Sequence, residues 1–165
     1  TNNMLLGGSN GRGSETTTPG FPRSAVSTAL ASKVMMIPSG TIATTSTTDT
    51  YVIAPEDGTL TSIDFYGLDA LAANDTNYIT FSVTNLGQSN GGSTAMLSAV
   101  DANTTKATGG SAIAAHTKRS LTLHGTAGNL SVVQGDLLRI RATATGTLAN
   151  TVTLPKYCVR FGGTT

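Results

Sequence analysis

A chain of 165 residues has room for one domain with a substantial core and little room for a second. Only 12% of its residues are charged, against about 25% in a typical soluble domain, and the formal net charge is +1. That balance excludes a broad field that would gather nucleic acid or an anionic membrane surface. No apolar run approaches the roughly 18 residues that a membrane-spanning helix needs. The sequence therefore predicts no nucleic-acid and no membrane partner.

Polarity comes instead from Thr, Ser, Asn and Gly. Thr suits a half-buried pleated surface, while Gly and Asn suit turns, so the composition predicts strands and loops with little helix. The opening Thr1-Asn2-Asn3-Met4-Leu5-Leu6-Gly7 lacks the basic region and apolar length of a secretory signal. A leading Thr fits removal of an initiator Met. The single cysteine, Cys158, excludes an internal disulfide framework and predicts synthesis in a reducing cytoplasm.

Residues 1–32 differ from the remainder and predict a flexible, extended N-terminal arm. Gly7 to Ser14 is a low-complexity run, and Pro19 and Pro22 interrupt regular pairing in the stretch after it. Such a segment cannot bury enough apolar surface to order alone. As a contact arm it would anchor on a neighbouring subunit through Leu5, Leu6, Phe21 and Val26, with Arg12 and Arg23 as charged contacts. Residues 24–31 could add a turn or two of helix.

Residues 33–165 predict a β-sandwich domain. Val34 to Ile37 is a strand ending at Pro38-Ser39-Gly40, and Tyr51 to Ile53 ends at the turn Pro55-Glu56-Asp57-Gly58. Thr59 to Tyr66 sets Thr61, Ile63 and Phe65 on one face. From Asn77 to Asn85 the alternation is clear, with Ile79, Phe81 and Val83 inward and Tyr78, Thr80, Ser82 and Thr84 outward. Further strands follow at Ala95 to Leu97, at Leu121 and Leu123, and within Asn129 to Asp136. Leu138, Ile140, Ala142 and Ala144 then face inward with Arg139, Arg141, Thr143 and Thr145 outward, and a last strand runs from Val152 to Phe161. Seven to nine short strands at this spacing predict an all-β fold, an antiparallel jelly-roll-like β-sandwich.

Two stretches carry a family resemblance. Ala54 to Tyr66 (APEDGTLTSIDFY) with Ile79 to Gly87 (ITFSVTNLG), and Leu121 to Leu138 (LTLHGTAGNLSVVQGDLL), are similar to the jelly-roll decoration, or cement, proteins of tailed-bacteriophage heads. The similarity covers about residues 48–161 and leaves out the arm. It implies a virion protein on the capsid exterior, assembled in the host cytoplasm, that binds the major capsid protein and stabilises the capsid. It further implies self-association, commonly as a homotrimer, and no enzymatic activity or cofactor.

Chemistry-bearing residues are sparse. Two histidines and one cysteine, far apart in sequence, predict no metal site; His116 and His124 read as solvated or interface residues. No serine sits in the strand–turn–helix elbow that a catalytic serine needs. The glycine-rich arm lacks the Lys of a phosphate loop. Asp64 with Glu56 or Asp57 is the sharpest catalytic alternative, a glycosidase pair, although Asp57 has an evident turn role before Gly58. For a glycan- or host-binding module of a head fibre or tail appendage, Tyr78 is the one aromatic candidate, with loops 68–77, 86–94 and 101–119. Finally, Arg139, Arg141, Lys156 and Arg160 gather four of the ten basic residues within 22 positions and predict a basic contact patch for an acidic capsid surface.

Overall fold

The computed structural model describes residues 32–163. The arm residues Leu5, Leu6, Arg12, Phe21 and Arg23, and the short helix read at 24–31, lie outside them. Among the described residues nine strands form in chain order: β1 (Lys33–Pro38), β2 (Thr47–Ile53), β3 (Gly58–Tyr66), β4 (Tyr78–Asn85), β5 (Thr94–Ala95), β6 (Lys118–Ser120), β7 (Ser131–Val132), β8 (Leu137–Thr145) and β9 (Lys156–Gly163).

They build two antiparallel sheets. One has the order β1-β9-β3-β6, with β7 also pairing β3; the other has the order β2-β8-β4-β5. With β7 set aside, eight strands divided this way make a jelly-roll sandwich. Strands β1 to β4 alternate between the two sheets, and β8 and β9 do so again, so the chain joins its two layers repeatedly. The fold is therefore the antiparallel β-sandwich that the strand spacing predicts.

Alternation explains which side chains fill the space between the layers. Ile79, Phe81 and Val83 of β4 and Leu138, Ile140 and Ala142 of β8 are buried, as their period of two predicts. From the opposite sheet, Leu60, Ile63 and Phe65 of β3 meet Tyr157, Val159 and Phe161 of β9. The Phe65 ring lies 4.9 Å from that of Phe81 across the layers and 5.4 Å from Tyr157 within its own sheet, both at tilted or edge geometries. Such aromatic pairs add about 0.5–1.5 kcal/mol each beyond the area they bury.

Three readings of the sequence need correction. Thr61 does not point inward with Ile63 and Phe65; it is exposed, and Leu60 is buried in its place. The register between β3 and β9 shifts between Leu60 and Ser62, and a bulge of one residue reverses the alternation at that point. Thr61 Oγ1 donates to the Arg160 carbonyl oxygen at 3.1 Å. The last strand begins at Lys156 rather than Val152, because Leu154 has φ 36 and Pro155 follows it. Val152 still pairs with Ile42 in an isolated bridge. The strand read at Leu121 and Leu123 lies at Lys118–Ser120 instead, with Leu121 packed just beyond it and Leu123 bridged to Leu97.

The long loops contribute to the core as well. Leu71 and Ile113 exchange backbone hydrogen bonds at 2.9 Å and are both buried, which ties loop 67–77 to loop 98–117. Asn103 is 1% exposed; its Nδ2 donates to the carbonyl oxygens of Ser98 and Thr122, and its Oδ1 accepts from the Thr122 amide. One asparagine thus satisfies three backbone groups of an irregular segment.

Because Phe65 joins both sheets, Phe65→Ala should destabilise the domain by about 3–5 kcal/mol. Thr61→Ala, at the exposed bulge, should change it by less than about 1 kcal/mol. Chemical denaturation of both variants checks the contrast.

Candidate functional site

The basic patch predicted from Arg139, Arg141, Lys156 and Arg160 does not form. Arg139 and Arg141 lie on β8 and face outward from the β2-β8-β4-β5 sheet, whereas Lys156 and Arg160 lie on β9, in the other sheet. β8 and β9 are consecutive in sequence but belong to opposite layers, so their outward side chains leave the sandwich in opposite directions.

Their individual roles also differ. Arg141 forms a two-pronged pair with Asp49 of β2, Nε to Oδ1 and Nη2 to Oδ2 both at 2.7 Å. This hydrogen bonding holds the Asp49 carboxyl below the ordinary value of 3.8. Arg160 reaches Asp64 Oδ2 at 3.0 Å and Ser62 Oγ at 3.1 Å. Asp64 is 1% exposed and also accepts from Ser120 Oγ at 2.7 Å. Lys156 is exposed at the start of β9. Arg139 is half-buried and makes no hydrogen bond or ion pair among the described residues; its Nε is buried without a partner.

The carboxylates do not assemble into a glycosidase pair. Asp57 is exposed in the turn before β3, where its Oδ1 accepts from the Gln134 amide at 2.7 Å. Six residue steps along β3 lead from Gly58 to Asp64, about 20 Å at 3.3 Å per residue. Paired glycosidase carboxylates stand roughly 5–9.5 Å apart. Asp64 is besides held by its arginine and serine.

No group of three or more His, Cys, Asp or Glu residues is arranged to hold a metal among the described residues. His124 Nδ1 accepts from the Thr126 amide, and His116 sits in a turn with φ 56. Cys158 is buried on β9, in register with Met36 on one side and Asp64 on the other.

Tyr78 borders a cavity of about 220 Å³ between β4 and residues 98–106. Lys106 Nζ lies 5.1 Å from its ring centre and 2.8 Å from Asp101 Oδ1. The ammonium therefore covers part of the aromatic surface that a sugar would use for stacking.

One structural cation escaped the sequence reading. Arg119 of β6 donates to the carbonyl oxygens of Ser111 at 2.6 Å, Ala102 at 3.0 Å and Thr104. Its guanidinium lies 5.4 Å from the Phe81 ring centre, and burial lowers its pKa. Within the sequence it reads only as a neighbour of Lys118 in a polar stretch.

Four of the eight exposed large hydrophobic residues among the described residues lie on edge strands, on the outer face of each sheet: Val34 and Met36 (each 57% exposed) on β1, Tyr51 (50%) and Ile53 (59%) on β2. Searches against protein-family models, curated proteins and solved structures find no match to this chain. Its surface must therefore carry the functional argument.

Replacing Arg119 with Ala removes a charged donor from three carbonyls, where each such bond contributes about 1.5–3 kcal/mol. Amide exchange in residues 101–117 should accelerate by about tenfold or more, which corresponds to roughly 1.4 kcal/mol of local stability. Arg119→Lys should not restore protection, since an ammonium lacks the planar fork.

Proposed function

We propose that this chain is a structural virion protein that binds the outer surface of a bacteriophage capsid and stabilises it as a decoration protein. Its partners on this reading are the major capsid protein and further copies of itself, associated as a homotrimer on the capsid exterior. The observation that carries the reading is the apolar exposure of the two edge strands: β1 presents Val34 and Met36 on the outer face of one sheet, and β2 presents Tyr51 and Ile53 on the outer face of the other. Large apolar side chains grouped on strand edges mark sites of protein association.

The polar groups support the same reading from the other direction. Asp49, Asp57 and Asp64 each hold another part of the sandwich. Low charge density further suits a surface largely covered in its working state. Several modest contacts per oligomer raise effective affinity without any single tight one.

A second reading, a glycan- or host-binding module, is favoured by the cavity beside Tyr78. It predicts binding to an immobilised polysaccharide panel that Tyr78→Ala abolishes.

The decoration reading is tested by pelleting purified protein with undecorated, expanded phage heads. It predicts saturable binding at a fixed number of copies per head and greater resistance of the heads to heat. Deleting residues 1–32 should lower this binding while the sandwich still unfolds cooperatively; equal binding by the truncated chain would remove the arm from the account.

A further inference from the structure

Glu56 Oε1 and Arg139 Nε are the two buried side-chain polar atoms without hydrogen-bond partners among the described residues. Nearly all such atoms in folded proteins are paired; both residues are only partly buried, so it is the rest of each charged group that can meet another molecule. These two belong to groups of opposite charge, and both adjoin the same corner of the sandwich.

The register fixes that corner. Arg139 lies opposite Tyr51, and Leu137 opposite Ile53, in the pairing of β8 with β2. Glu56 stands in the turn that leaves β2, three positions beyond Ile53. This turn is joined to the turn Val133–Asp136: Ala54 N donates to Asp136 O at 2.8 Å and Gln134 Nε2 to Pro55 O at 3.3 Å. Along the strand, exposed Tyr51 and Ile53 separate the two charged residues, and the adjoining turn adds Val133, 53% exposed. Arg141, one step further along the same face as Arg139, is already committed to Asp49.

We infer that this corner is the surface through which copies of the chain meet, with Arg139 of one copy facing Glu56 of the next across the Tyr51–Ile53–Val133 patch. The inference rests on the reading of the chain as an assembling structural protein and names the residues of one contact. A second copy is the occupant because the patch bears one cation and one anion around an apolar centre. It has no excess charge to select an acidic or a basic stranger, and it supplies its own complement. In a closed ring of copies every boundary repeats the same head-to-tail contact, so Arg139 of each copy meets Glu56 of the next. Tyrosine and arginine beside an apolar centre are also the side chains that dominate interface energetics.

Sedimentation velocity of the full chain, from about 1 to 100 µM, reads the contact directly. The wild type should sediment as an oligomer. Arg139→Glu and Glu56→Arg should each weaken association at least about tenfold, and the double variant should recover most of the loss. Ile53→Asp tests the same surface should a charge reversal fail to fold, and circular dichroism confirms the fold of every variant. A monomeric wild type, undiminished association in both Arg139→Glu and Ile53→Asp, or a double variant weaker than either single one would overturn the proposal. Pelleting the same samples with heads separates the two claims: a monomer that saturates heads defeats this contact alone. An oligomer with the expected variant behaviour that ignores heads supports the contact and defeats the decoration reading.

Discussion

The structure depends on Phe65. Its ring meets Phe81 across the sandwich and Tyr157 on the neighbouring strand, so one side chain couples the two layers and two strands of one layer. With no Trp and only 5% aromatic residues, few other side chains can span that gap. Leu60, Ile63, Val159 and Phe161 line the same layer on either side of it, and Ile79, Val83, Leu138 and Ile140 close over it from the other. A strand pair alone is marginal in water; packing one sheet on the other supplies the apolar burial that holds both.

That division of labour frees the outside of the sandwich. The charged residues do mostly internal work: Arg141 ties β8 to β2, Arg160 ties β9 to β3, and Arg119 holds the long loop against Phe81. What then remains for other molecules is a polar, weakly charged surface with apolar residues at the β1 and β2 edges. A surface of this kind recognises by shape and by many small contacts rather than by a strong field. This is the physical content of the reading as an assembling structural protein.

Much of the fold was legible in the amino-acid pattern. Ile79, Phe81 and Val83, and Leu138, Ile140 and Ala142, alternate without interruption, and burial follows the alternation residue by residue. Thr61 reads as sharing a face with Ile63 and Phe65 because a one-residue bulge leaves no mark in polarity alone. The division of Arg139 and Arg141 from Lys156 and Arg160 was equally invisible, since sheet membership depends on which strands pair and not on which are consecutive. Arg119 and Asn103 looked like ordinary loop residues; their importance comes from backbone carbonyls and amides that converge only after folding. The candidate surface was half legible: Arg139 was singled out with three other cations, but its contrast with Arg141 rests on the partner that β2 brings to one and not to the other. Leu5, Leu6, Arg12, Phe21 and Arg23 stand outside the described residues.

Electron cryomicroscopy of undecorated, expanded heads, imaged before and after addition of the full chain, tests the central claim most directly. The account predicts new density on the outer capsid surface at symmetry-related positions, into which the two-layered sandwich fits with its β1–β2 edge at a protein boundary. Heads that stay bare at saturating protein, while the same sample remains folded, would contradict it.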